Sequence, residues 1–233
     1  MTGAAPEAEP PGISPSEVTV IVIAKEPRPG RAKTRLIPAL GEAGAARLAG
    51  AALADTLDVV AALPEPRRRV LALDGEPGPW LPAGFEVIPQ RGEGLAARLA
   101  AAFGDAGGPA FLIGMDTPQI TLGQIERACE RLAAAGTGAV IGLAPDGGWW
   151  GLGLRRADDR VFDGVPMSTA ETGSEQTRRL DDLGLRWEQL DSLRDIDTID
   201  DARAVAGEAP RRRFARVLVA ERSRMAKTPG AAS

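Results

Sequence analysis

Residues Val18, Thr19, Val20, Ile21, Val22 and Ile23 form an unbroken run in which every side chain branches at Cβ. Such side chains are stiff at χ1 and suit a pleated strand. A run without polar alternation leaves no face for water, so it predicts a strand buried on both faces, as in a parallel sheet covered by helices. The chain then breaks into a loop from Lys25 to Arg35 that holds two prolines, one glycine and the cations Lys25, Arg28, Arg31, Lys33 and Arg35. A helix is expected from about Glu42 to Leu63. A buried strand feeding a basic, glycine-containing loop presents cations and backbone N–H groups to phosphate at the strand's carboxyl end. The loop is not a Walker loop, because Ala32 precedes Lys33-Thr34 and Pro27 occupies the slot of the earlier glycine. The alternative is an exposed loop whose charges are merely solvated. The crowding of cations directly after a core strand favours an anionic ligand.

The remaining pattern alternates short apolar runs with helical spacing. Strands are expected at Arg69–Leu73, Phe85–Pro89, Ala110–Ile113, Ala139–Leu143, Gly151–Leu154 and Leu185–Leu190. Helices are expected at Leu95–Phe103, Thr121–Ala135, Thr169–Gly184 and Ile199–Ala206. Alternation with short connections predicts an α/β fold with a mainly parallel sheet flanked by helices. The absence of a repeat or a central Gly/Ser linker predicts one domain over residues 17–206. Residues 1–16, rich in Pro, Ala and Glu, read as a disordered leader, and residues 207–233 as a partly disordered extension in which Phe214–Val219 could form a helix.

Composition closes several routes. The chain has 233 residues, 44% of them hydrophobic, and a formal net charge of −4, which describes a globular protein rather than a nucleic-acid binder. No apolar run approaches a membrane span, and the N-terminus lacks a basic-then-apolar signal pattern, so a cytoplasmic location is expected. A single cysteine, Cys129, precludes an intramolecular disulfide and reads as a buried thiol. There is no histidine and no tyrosine. Imidazole-dependent nucleophiles, bases and zinc sites are therefore excluded. Chemistry falls to carboxylates, Lys and Arg, hydroxyls, backbone dipoles and a hard cation such as Mg²⁺ or Mn²⁺.

Three further stretches fall where ligands bind in such sheets, beyond the strands' carboxyl ends. Asp116 follows an apolar strand and could hold a divalent cation bridging two phosphates, or cap a helix. Asp146-Gly147-Gly148 could be a turn, or a close backbone approach to a ligand beside Trp149 and Trp150, on which a ring could stack unless they pack in the core. Ser168-Thr169-Ala170-Glu171 fits a capping box. Asp195 and Asp197 alternate; Thr198 with Asp201 reads as a second capping box, which leaves Asp197 free as a second metal ligand.

Taken together, Ala24-Lys25 through Lys33-Thr34-Arg35-Leu36, Ile113 to Pro118, Asp146 to Trp150 and Asp195 to Thr198 resemble bacterial GT-A-like transferases. These are the radical-SAM/selenodomain-associated transferases, also described as arsenosugar-biosynthesis-type glycosyltransferases. The similarity runs in order from about Val18 to Ala206. It implies a nucleotide-diphospho-sugar transferase fold, with nucleotide phosphates at Ala24, Lys25, Gly30, Arg31, Lys33, Thr34 and Arg35. Asp116, Lys33 and Asp146 become the candidate catalytic residues, Asp116 and Asp197 the metal ligands, and Gly147, Gly148, Trp149, Trp150, Ser168 and Thr169 the acceptor pocket. The chain departs from the family at Thr117, where cysteine is usual, at Trp149-Trp150, where tyrosines are usual, and at Met167, where tryptophan is common.

Two reactions fit. In glycosyl transfer, a nucleoside-diphosphate sugar donates to a small-molecule acceptor while a cation stabilises the departing diphosphate. In nucleotidyl transfer, a phosphorylated acceptor attacks a nucleoside triphosphate; the loop also resembles that of the phospholactate guanylyltransferases, and its charge suits a triphosphate. The family's naming favours the first. A non-catalytic nucleotide-binding protein is the third reading.

Overall fold

The computed structural model describes residues 10–64 and 67–227. Its centre is a seven-stranded sheet. In chain order the strands are β1 (Thr19–Lys25), β2 (Arg69–Asp74), β3 (Glu86–Pro89), β4 (Ala110–Gly114), β5 (Ala139–Leu143), β6 (Trp149–Leu154) and β7 (Trp187–Leu190). The helices are α1 (Ile37–Ala61), α2 (Gly94–Ala106), α3 (Leu122–Ala133), α4 (Thr172–Asp182), α5 (Ile199–Glu208) and α6 (Arg213–Lys227). The spatial order is β3-β2-β1-β4-β6-β5-β7. All neighbours are parallel except β6, which runs antiparallel to both β4 and β5. That exception follows from a tight β5–β6 connection, in which Ala144 N–H donates to Gly148 O and Gly147 N–H to Ala144 O. The Asp-Gly turn signal marks this hairpin.

The β-branched run is buried as its composition requires, with Val20, Ile21 and Val22 all fully enclosed. Val20 and Val22 face Leu53 and Leu57 of α1, whereas Ile21 faces Leu99 and Phe103 of α2. Gly41, at φ 67°, interrupts α1 after its first turn. Glycine tolerates that backbone readily, and the continuous helix begins at Glu42, where the sequence placed it.

From β1 the chain runs outward through β2 and β3, then returns to place β4 on β1's other side. A reversal of this kind leaves a crevice between the two carboxyl ends. The basic loop follows β1, and Asp116 lies two residues beyond β4.

Both expected boundaries shift. Within the expected leader, residues 10–17 are attached to the end of α3: Ile13 N–H donates to Ala133 O, Gly136 N–H to Pro10 O, and the Arg155 guanidinium to Pro11 O. Ser14 and Glu17 cap a single 3-10 turn. Residues 1–9 lie outside the described residues. At the other end, α6 packs Phe214 and Leu218 against Leu36, Leu40, Leu48 and Ala52 in a third apolar cluster. Asp55 of α1, only 3% exposed, accepts from both Arg213 N–H and Phe214 N–H at 3.1 and 2.8 Å, so one helix caps another. Buried Glu221 receives a two-pronged bond from Arg47, at 2.7 Å on each oxygen. The packed unit therefore continues beyond residue 206. No described helix is long and apolar enough to cross a membrane.

Candidate active site

A cavity of about 710 Å³ opens along the carboxyl ends of β1 and β4 and the start of β6. From the first loop it is lined by Ala24, Lys25, Arg31, Lys33, Thr34 and Arg35, and from beyond β4 by Asp116. Asp146, Gly148, Trp149, Trp150, Ser168, Thr169 and Asp197 complete the expected residues on its walls. Gly30 and Gly147 do not line it. Arg28 turns away to Glu26 at 2.6 Å. Thr117, one of the departures from the family pattern, is buried outside the lining.

Lys33 crosses the crevice. Its backbone is left-handed, at φ 51° and ψ 47°, immediately before a 3-10 turn at Thr34–Leu36. Its side chain is 9% exposed, with Nζ 2.9 Å from Asp116 Oδ1, and it also donates to Ile196 O. The contact with Asp116 is ionic without hydrogen-bond alignment, and the buried Oδ1 has no hydrogen-bond partner. Asp116 does not cap α3; Thr121 does, with Gln124 returning the bond. Arg35 and Asp197 form an exposed ion pair at 2.6 Å.

Asp195 is the functional candidate that the sequence reading passed over in favour of Asp197. Its carboxyl is pushed up to about 8, first by removal from water and then by the charge of Asp116. Lys33 offsets part of the shift, whereas Asp146 and Asp197 add to it. The D-x-D alternation was visible, but the choice between its two acids depends on which one reaches Asp116.

The pair Asp116 and Asp195 suits one hard cation. A buried oxygen whose neighbour is the Lys33 ammonium, without an aligned hydrogen bond, accompanies a second carboxyl whose charge is suppressed by burial and then by the first. Mg²⁺ takes one or two carboxylates plus substrate phosphates rather than a full protein cage. Among the described residues no group of three or more His, Cys, Asp or Glu could hold a metal by itself. Asp197 is bound to Arg35, so for it to touch a cation that pair would have to break.

The opposite wall differs from expectation in three places. Trp150 is 2% exposed, meets Phe111 edge-on at 5.9 Å between centroids and donates its Nε1–H to Asp191 O at 3.0 Å. It reaches the cavity only as part of the core, and Gly142 makes room for it, since a Cβ there would enter the indole ring. Gly147 serves a protein contact: a Cβ would collide with Ala170 O, and its own carbonyl accepts from Gly173 N–H at 2.7 Å. The capping box at Ser168 does not form. Helix α4 begins at Thr172, whose hydroxyl donates to Pro166 O and accepts from Thr169 N–H. Ser168 instead adopts φ 61°. Lys33 and Ser168 are the non-glycine residues with positive φ among those described, and both line the cavity. Such backbone costs about 1–3 kcal/mol and clusters at binding sites.

Over residues 47–169 the sequence matches a bacterial family described as "Uncharacterized protein conserved in bacteria (DUF2064)". The chain belongs to this family. Among solved structures, this family member is similar to a "putative nucleotide-diphospho-sugar transferase" from Desulfovibrio desulfuricans G20, with 26% identity and a TM-score of 0.77 over 91% of this chain and 96% of the other. It also shares its fold with CMP:2-keto-3-deoxy-manno-octonic acid synthetase complexed with CTP, at 13% identity and TM-score 0.52, over 82% and 99% of the two chains. The 4-diphosphocytidyl-2C-methyl-D-erythritol synthase of Anaerococcus prevotii DSM 20548 gives 10% identity and TM-score 0.51, over 84% and 97%. No curated protein matches the chain.

Proposed function

We propose that this cavity binds a nucleoside-diphosphate sugar and transfers its glycosyl group to a small-molecule acceptor. The observation that carries the reading is the charge arrangement around Lys33 and Asp116. Lys25, Arg31, Lys33 and Arg35 line the cavity together with Asp116, Asp146, Asp195 and Asp197. The first loop alone suggests a strong excess of positive charge, but cations and carboxylates are matched across the crevice. A diphosphate accompanied by one divalent cation suits that balance better than a bare triphosphate. The 26% identity to the Desulfovibrio protein, named for nucleotide-diphospho-sugar transfer, supports the same reading.

In this mechanism Lys25 and Arg31 hold the diphosphate oxygens through charged hydrogen bonds. Lys33 steadies the leaving phosphate from the strained loop. The acceptor oxygen bonds to the anomeric carbon as the carbon–oxygen bond to the diphosphate breaks, its electron pair leaving with the nucleoside diphosphate. The acceptor's proton passes to Asp146, whose Oδ1 is fixed by Gly148 N–H at 2.9 Å. Asp116 and Asp195 would hold Mg²⁺ or Mn²⁺, which when bound neutralises charge accumulating on the diphosphate.

Nucleotidyl transfer is the second reading, favoured by the density of cations between Lys25 and Arg35. The protein is incubated with nucleoside-diphosphate sugars or nucleoside triphosphates, with Mn²⁺, and the released product is identified. Nucleoside diphosphate from the sugar donor supports glycosyl transfer, pyrophosphate from the triphosphate installs the second reading, and neither product overturns both.

A further inference from the structure

The cavity has an apolar lobe that the nucleotide chemistry does not use. Cations line it from the first loop, and carboxylates from beyond β4, from the β5–β6 turn and from residues 195 and 197. No charged side chain lines it from α2 or from residues 167–172. There Leu99 and Leu112 are buried, while Trp149 and Met167 are half-buried against the same apolar cluster. The lobe runs from Leu99 and Leu112, which pack beside β1, to Trp149 at β6, two strands across the sheet and about 10 Å from the strand that feeds the basic loop. A ligand whose phosphates sit at that loop would thus point its transferable end over Asp116 towards this wall.

A second observation comes from the indole of Trp149. Its Nε1 is buried without a hydrogen-bond partner. By contrast, Trp150 Nε1 donates to Asp191 O and Trp187 Nε1 to Asp181 Oδ1. A buried donor left unpaired is costly, and a bound oxygen acceptor would relieve it.

We propose that this lobe is the acceptor subsite and that the acceptor is an amphiphilic alcohol: an uncharged ring or branched alkyl body seated on Leu99, Trp149 and Met167, with an oxygen accepting from Trp149 Nε1–H. This inference rests on the transferase reading above. The wall rejects a phosphorylated acceptor, because no cation lines it from α2 or from residues 167–172, where Ser168 and Thr169 add neutral hydroxyls beside the apolar floor.

The test uses 2-naphthol as the apolar alcohol and glucose 6-phosphate as the polar competitor, with the full chain. Binding of 2-naphthol is followed by saturation-transfer NMR, and the same samples are titrated with ADP, GDP, CDP and UDP in Mg²⁺ by calorimetry. Saturable 2-naphthol binding is expected, undisturbed by glucose 6-phosphate. Trp149→Phe keeps the ring and loses the donor, so it should weaken binding about 5- to 10-fold. Met167→Glu should abolish it, with nucleoside-diphosphate affinity unchanged in both variants. Naphthol binding that both substitutions leave intact, or that glucose 6-phosphate displaces, overturns the inference, as does an absence of naphthol binding while a nucleoside diphosphate binds. If no nucleoside diphosphate binds the wild-type protein, the transferase reading itself fails.

Discussion

Lys33 Nζ stands 2.9 Å from Asp116 Oδ1, joining the loop after β1 to the end of β4 across the point where the strand order reverses. The lysine thereby supplies the positive charge that an isolated carboxylate at that position would need. It also holds the 195–197 segment, through its bond to Ile196 O. One cation thus joins the basic loop after β1, the first candidate metal ligand and the loop carrying Asp195.

On the proposed reading a divalent ion would approach Asp116 where Lys33 sits, so the two would compete. Lys33→Met should let Mn²⁺ bind in the absence of nucleotide more tightly than in wild type, as read by electron paramagnetic resonance of free Mn²⁺. In the same variant nucleoside-diphosphate affinity should fall by about 1.5–3 kcal/mol, the range for a hydrogen bond to a charged group. Unchanged values in both titrations would remove Lys33 from the site.

Asp195 sets a pH dependence with a definite sign. Its carboxyl has a pKa of about 8 in the folded protein against an ordinary value of 3.8. The folded state keeps a proton that the unfolded state has already lost. Stability present in acid should therefore be lost as pH rises from about 4 through 8. Without added metal, the melting temperature should fall over this window, and Asp195→Asn should flatten the fall. A variant with the wild-type slope would show that another group governs it.

Asp55 and α6 make a stability prediction outside the site. Asp55→Ala leaves the N–H groups of Arg213 and Phe214 without their charged acceptor, which should cost about 2–4 kcal/mol in urea unfolding. Removing residues 212–233 should cost more, because it also exposes the Leu36 and Leu48 cluster. Truncation without loss of stability would contradict this packing.

Much of this architecture was legible in residue order. The run from Val18 to Ile23 could only be a two-sided core strand, and Asp116 was fixed at the crevice by the apolar strand ahead of it. Thr198 and Asp201 form the capping box their spacing suggests. What escaped depended on contacts between distant segments. Adjacent Trp149 and Trp150 must point to opposite faces, but only the pairing of β6 with β4 decides which one enters the core. Asp195 and Asp197 share a pattern, and Arg35, over 160 positions earlier in the chain, separates them by taking Asp197. Asp55 and Glu221 look like solvated charges until α6 lies on α1. Gly147 and Gly148 of the β5–β6 turn suggested a ligand's approach; Gly148 lines the cavity, yet the backbone that Gly147 admits is that of Ala170.

The most direct test is turnover by Asp116→Asn. Asparagine preserves shape and removes the charge that opposes Lys33 and that a hard cation requires. With a nucleoside-diphosphate sugar, an acceptor alcohol and Mn²⁺, the wild-type protein should release nucleoside diphosphate. The variant should release it orders of magnitude more slowly at an unchanged melting temperature. An Asp116→Asn protein that turns over normally, with the same Mn²⁺ dependence, would contradict the central role of Asp116.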